Sequence, residues 1–176
     1  MANFTTEDVE YLRHGDRKIM ARVFKPEGAG PFPCFIDLHG GAWNNGDLND
    51  RTGLGEYLAA HGVVMPTLNF RHAADGYPSS LADINYGIRW AKAHAKELKI
   101  DPNKVFIGGA SSGGHLAMLV AMRPNDRATR RSRARAAMTQ ACRASTCYGL
   151  SSTRCRAIAT RSAARPSRIR RPSAWV

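Results

Sequence analysis

Lys104-Val105-Phe106-Ile107-Gly108-Gly109-Ala110-Ser111-Ser112-Gly113-Gly114-His115-Leu116-Ala117-Met118-Leu119-Val120-Ala121-Met122 is the stretch on which the fold turns. Lys104 to Gly109 reads as a strand, and Ser112 to Met122, apolar on nearly every side, reads as a helix buried at the centre of the fold. Between them Gly109-Ala110-Ser111-Ser112-Gly113 fits G-x-S-x-G. A serine on such a sharp strand-to-helix turn carries its hydroxyl above the sheet edge, and small neighbours let the backbone make the turn. The helix N-terminus behind it favours negative charge developing nearby. Glycine and serine are common turn residues, so the pattern alone is weak, and the strand and helix around it give it weight. Ser111 is the candidate nucleophile.

Upstream, the chain alternates between the two periods. Asp101-Pro102-Asn103 is a turn. Before it, Leu81, Ile84, Ile88, Ala91, Ala95 and Leu98 recur at helical spacing and give one apolar stripe to lay on a sheet. Ser80-Leu81-Ala82-Asp83 has capping-box spacing at the start of that helix, with Asp in the place usually held by Glu. Val63 to Phe70 is a strand, and Asn49 or Asp50 caps a helix that runs to about His61 and is ended by Gly62. Pro33 to Leu38 is a mostly apolar strand after the turn Gly28-Ala29-Gly30-Pro31. Glu10 to His14 and Lys18 to Lys25 form a hairpin across Gly15-Asp16. Strands separated by helices of this length predict an α/β fold, a mostly parallel sheet flanked by helices and joined by right-handed crossovers.

His39-Gly40-Gly41-Ala42-Trp43 follows the strand that ends at Leu38. Glycines there can aim backbone N–H groups into a cleft without a Cβ in the way. Those donors, with the N–H of Ser112, suit an oxyanion. Taken alone the segment also fits a Gly-Gly turn beside a structural histidine. The elbow about 70 residues later favours the oxyanion role.

Together these segments resemble the hormone-sensitive-lipase-like branch of the α/β-hydrolases, which includes acetyl esterases, carboxylesterases and kynurenine-formamidase-like enzymes. Its H-G-G-x-[WF] motif corresponds to His39 through Trp43, and its elbow and small apolar helix to Ser111 through Ala117. Its intervening Y-R-x-A-P, F-P and I-D-P signals correspond to Asn69-Phe70-Arg71-His72-Ala73-Ala74, Tyr77-Pro78 and Ile100-Asp101-Pro102. The resemblance covers roughly residues 8–125. It implies attack of Ser111 on an ester or amide carbonyl of a small molecule, with the N–H groups of Gly40, Gly41 and Ser112 holding the oxyanion. His39, Trp43, Gly109 and Gly113 would support the two motifs, with Trp43 either lining the acyl side of the pocket or serving as an ordinary surface or core aromatic. A histidine would act as general base and an Asp or Glu would orient it. No cofactor and no metal is implied.

The chain departs from that pattern where the triad should be completed. In this family the order is Ser, then Asp or Glu, then His, yet no acid follows Asp126 and no histidine follows His115. His39, His72 and His115 each have a local place in a motif, and His14, His61 and His94 read as surface residues. Catalytic impairment is therefore the expectation for the chain as written.

Charge locates the break. Of 26 Lys and Arg, 13 are arginines in residues 127–176, which hold no Lys, Asp or Glu, leaving 13 basic against 14 acidic residues in 1–126. The expected organisation is an incomplete hydrolase domain over 1–125 and an Arg/Ala/Ser-rich tail over 126–176 that lacks the later strands. Low apolar content and high charge predict disorder in that tail. Arginine without lysine also fits out-of-frame translation of a gene rich in G and C. The alternatives are a basic arm for nucleic acid or an acidic surface, and a non-catalytic scaffold. No nucleic-acid-binding motif accompanies the arginines, so a nucleic-acid partner is not favoured. Loss of the later strands would bare an apolar edge beside the elbow strand, which predicts poor solubility. Cys34 reads as a buried small hydrophobe. Cys142, Cys147 and Cys155, with no nearby histidine and no C-x-x-C, do not suit zinc. No apolar run is long enough for a membrane span and the polar, acidic N-terminal stretch is unlike a secretory signal, so a cytoplasmic location is expected. Oligomeric state is left open.

Overall fold

The computed structural model describes residues 3–129 and the strand backbone of 143–148. Its elements in chain order are β1 (Phe4–His14), β2 (Arg17–Pro26), β3 (Phe32–Leu38), α1 (Thr52–Ala60), β4 (Met65–Leu68), α2 (Ser79–Ala93), β5 (Ile100–Ala110), α3 (Ser112–Met122) and β6 (Arg143–Tyr148). They make one six-stranded sheet in the order β1-β2-β4-β3-β5-β6. β1 and β2 form the expected antiparallel hairpin, β2 runs antiparallel to β4, and the β4-β3-β5-β6 block is parallel. This is the α/β sheet that the alternating periods predict.

The parallel strands are apolar because both faces are covered. Cys34, Ile36 and Leu38 of β3 and Val105 and Ile107 of β5 are buried with Leu81, Ile84, Ile88 and Ala91 of α2 and Leu116, Ala117 and Val120 of α3. Phe24, Ala59 and Met65 make a smaller cluster under α1. Among the described residues no helix is long and apolar enough to cross a membrane.

Three local expectations change. The capping box sits elsewhere: Asp47 and Asp50 cap the 3-10 turn Leu48–Arg51 that leads into α1, whereas α2 starts at Ser79 without a side-chain cap. Ser80 instead donates its hydroxyl to the Arg71 carbonyl, and Asp83 is drawn inward to a cation (below). Asp101-Pro102-Asn103 still turns, with the Asn103 N–H on the Asp101 carboxylate at 2.9 Å, but inside β5, where the register against β3 shifts between Phe32 and Cys34.

The third change lies in the segment expected to lack structure. Thr129 is buried, and its hydroxyl accepts from the Asn85 side-chain amide at 2.9 Å, so packing against α2 continues past residue 125. Arg143–Tyr148 forms β6, parallel to β5 from Phe106 to Ala110. One later strand is thus present, and the edge of β5 expected to be bare is paired. The unpaired backbone groups of β5 provide the template, and Thr146, Cys147 and Tyr148 are residue types that tolerate a strand. The disorder, out-of-frame and basic-arm expectations for 130–142 and 149–176, with Cys142 and Cys155, lie outside the described residues.

Candidate active site

β3 and β5 are adjacent parallel strands, and Leu38 pairs with Gly109. The segments that follow them therefore leave the same end of the sheet side by side. From β3 the chain crosses to β4 on one flank and returns to β5 on the other. Such a reversal of strand order opens a crevice at the carboxyl ends of the strands, where α/β proteins place their sites.

Ser111 occupies the turn between β5 and α3 with φ 49° and ψ −119°. That left-handed conformation is unfavourable for a residue with a Cβ and is kept where surrounding structure enforces it. The enforcement is visible at Gly113 and Gly109. A Cβ on Gly113 would collide with the carbonyl oxygens of His39 and Leu38, and one on Gly109 would lie 2.5 Å from the Leu38 oxygen. The elbow is thus pressed directly onto the end of β3. Ser111 is exposed while Ser112, Gly113 and Gly114 behind it are buried.

The loop after β3 reaches the same point. A Cβ on Gly40 would lie 3.5 Å from the Ser111 Cβ and 3.3 Å from the Ala110 oxygen, so Gly40 and Ser111 are in contact. Gly41, at φ 106°, bends the loop back, and its carbonyl accepts from the Asn44 and Asn45 N–H groups at 3.0 and 2.9 Å. Ala42 and Trp43 follow at φ 51° and 65°, and Trp43 stays 45% exposed. The Trp43 carbonyl accepts from Ala73 N–H at 2.8 Å.

His39 is fully buried, its ring stacked on Phe70 at 4.4 Å with His72 edge-on at 5.8 Å. Its Nδ1–H donates to the Gly40 carbonyl at 2.9 Å, which fixes the tautomer and braces the loop. Burial pushes its pKa down, partly opposed by that hydrogen bond, so the ring is neutral near pH 7. Two ionic clamps that the spacing of motifs did not reveal hold the surroundings. Asp37, next to the last residue of β3, pairs with Arg51 after the loop. Asp83 of α2 accepts from Arg71 Nε at 2.9 Å, Arg71 N–H at 3.0 Å and the second guanidinium nitrogen at 2.8 Å, and lies 2.8 Å from His14 Nε2. His14 is thus tied to a buried carboxylate, not a free surface residue. An aspartate inside an apolar strand, and another on the inner stripe of a helix, were the available signals.

Comparison with known proteins agrees with this geometry. The pattern of the BD-FAE family matches residues 22–153, which reach through β6 and beyond the charge break. The chain belongs to the BD-FAE family. Curated relatives are a probable carboxylic ester hydrolase of Mycobacterium tuberculosis, LipM, 35% identical over 68% of this chain and 28% of LipM, and the versiconal hemiacetal acetate esterase of Dothistroma septosporum, 34% identical over 69% of this chain and 38% of that protein. Among solved structures, the butyrate-bound esterase Est2 of Thermogutta terrifontis superposes with a TM-score of 0.61 at 28% identity, over 66% of this chain and 44% of Est2. The α/β-hydrolase fold and the esterase kinship implied by the motifs are thereby established for this BD-FAE chain. It spans between about a quarter and a half of the length of these relatives.

Proposed function

We propose that this BD-FAE chain carries the acylation half of a serine carboxylesterase, acting on esters of small molecules. The observation that carries this reading is the strained, exposed Ser111 held against Gly40 at the carboxyl ends of β3 and β5. Ser111 Oγ attacks the ester carbonyl, and the N–H groups of Gly40, Gly41 and Ser112 take up the oxyanion as the tetrahedral centre forms. Collapse expels the alcohol, to which the Ser111 proton passes through solvent, and leaves the acyl group on Ser111; water then releases it as the carboxylic acid and returns a proton to Oγ. His39 acts through the loop, since its Nδ1–H is engaged by Gly40 and its ring is buried.

Proton transfer is the weak step. The 176-residue chain has no histidine after His115 and no acid after Asp126. We infer slow turnover, because loss of triad members leaves only about 10³–10⁴-fold over water from the oxyanion hole and binding. Hydrolysis of p-nitrophenyl butyrate by the whole chain, against Ser111→Ala, tests the reading. A slow rate abolished by Ser111→Ala supports it, and equal rates for the two chains reject it. Organophosphates modify the Thermogutta terrifontis esterase 2. Reaction with paraoxon that maps to Ser111 by peptide mass would support the same assignment without requiring turnover.

A further inference from the structure

All six histidines lie in the described residues, and four have a ring nitrogen engaged. His14 meets the Asp83 carboxylate, and His39, His61 and His94 meet the carbonyls of Gly40, Tyr57 and Trp90. His72, on the loop after β4, stands edge-on to the buried His39 ring. His115 differs from all of these in lying exposed on α3, one turn past Ser111. Its N–H approaches the Ser111 carbonyl at 3.2 Å. Helical side chains tilt back toward the helix N-terminus, so the imidazole leans over the turn that carries Ser111. Its ring stands at 90° to the Trp43 ring with centroids 5.7 Å apart. Trp43 belongs to the same loop as Gly40, which touches Ser111, and its carbonyl is anchored by Ala73 N–H. The imidazole is thereby held on the flank of α3 that faces the His39–Trp43 loop.

We propose that His115 is the proton acceptor for Ser111, working through one bridging water where no histidine follows later in the chain. This rests on Ser111 being the nucleophile. Side chains four apart on a helix have Cβ atoms about 5–6 Å apart, and a base separated from its proton by one water still serves. As Oγ bonds to the ester carbon, its proton passes through that water to a ring nitrogen of His115. The imidazolium then gives the proton to the alcohol oxygen as the C–O bond breaks. The hydrolytic water loses a proton by the same route, and Oγ recovers it when the carboxylic acid leaves. Trp43 positions the ring, the task that a carboxylate performs in a complete triad.

Chemical rescue separates this role from a structural one. Hydrolysis of p-nitrophenyl butyrate by the whole chain is followed for the unaltered, Ser111→Ala, His115→Ala and His115→Gln forms, with and without added imidazole. The Ser111→Ala/His115→Ala chain supplies the hydrolysis that imidazole performs by itself, which is subtracted. His115→Ala and His115→Gln should each lower the Ser111-dependent rate at least about tenfold. A triad base contributes roughly 10²–10⁴-fold, and a smaller loss is expected where no carboxylate fixes the tautomer. Imidazole should restore much of the rate to His115→Ala, which leaves room for it, and less to His115→Gln. A Ser111-dependent rate indifferent to both substitutions overturns the proposal alone, as does a loss in His115→Ala that imidazole leaves unrepaired. Equal hydrolysis by the unaltered and Ser111→Ala chains overturns the nucleophile reading as well.

Discussion

The carboxylate of Asp37 meets the guanidinium of Arg51 across the root of the His39–Trp43 loop, with Arg51 Nε 3.1 Å from one oxygen and a second nitrogen 3.2 Å from the other. Asp37 is fully buried, whereas the Arg51 side chain keeps 19% of its exposure. The two partners are therefore not equivalent. Arg51→Met strands a charge inside the sheet and should cost about 3–5 kcal/mol. Asp37→Asn leaves a cation that can reach water and should cost less. Urea denaturation of the two variants checks the order.

Burial raises the Asp37 pKa, and Arg51 only partly opposes it. A raised acid contributes stability that is fully present below its ordinary value near 3.8 and is lost as pH rises through the folded value. Without Arg51 the fall should be steeper. Denaturation midpoints of Arg51→Met should drop more between acid and neutral pH than those of the unaltered chain, and parallel curves would contradict this.

Ser111 sits at φ 49°, a backbone conformation that glycine adopts freely and alanine does not. Both Ser111→Gly and Ser111→Ala remove the nucleophile, so ester hydrolysis should fall to the same floor. Their stabilities should differ, with the glycine chain more stable by about 1 kcal/mol. Thermal melts compared with residual hydrolysis separate strain from chemistry at this one position.

His39 is buried as the neutral ring, and its pKa is lowered chiefly by desolvation. For a depressed histidine the unfolded chain binds more protons, so stability is present above the ordinary value near 6.5 and declines as pH falls from there through the folded value. His39→Gln removes that titration. Its stability should change less than that of the unaltered chain as pH falls from 7 to 5, about the span in which an unperturbed histidine gains its proton.

These residues also show what the sequence could and could not reveal. The strand before Ser111 and the helix after it were legible, because apolar runs flanked a turn that only small residues fit. Leu81, Ile84 and Ile88 announced α2 by period alone. The clamps were not legible, since which cation answers Asp37 or Asp83 depends on tertiary approach: Arg71 reaches Asp83 from the loop after β4. The capping box was misplaced for a related reason. Ser80 and Asp83 had the spacing, but the Arg71 carbonyl and guanidinium compete for them and win. The pairing of Trp43 with His115 joins segments that only the β3–β5 register brings together.

The arginine-rich segment has a test in its own coding sequence. Arginine without lysine or acid begins at residue 127, as out-of-frame reading of a G- and C-rich gene produces. The family match, which runs on to residue 153, speaks against that origin; if it holds all the same, another frame after codon 126 encodes an acid and, further on, a histidine. A frame holding neither would reject that origin, and salt-dependent binding of a DNA duplex would become the informative measurement.

Composition puts the end of the domain at residue 125, but packing carries it further. Thr129 is buried and takes the side-chain amide of Asn85, while the Asp126 carboxylate accepts from Ala128 N–H at 2.9 Å. A chain ended after residue 125 leaves the Asn85 amide without that partner, which costs about 1–3 kcal/mol for a buried donor. A chain ended after residue 129 keeps it, and should melt higher. Both lack β6, so both bare the Phe106–Ala110 edge of β5 that β6 covers in the whole chain. An uncovered central strand is a template for pairing between copies. Light scattering on warming should therefore rise earlier for both truncated chains than for the full one, and equal onset in all three would mean that β6 does not protect β5.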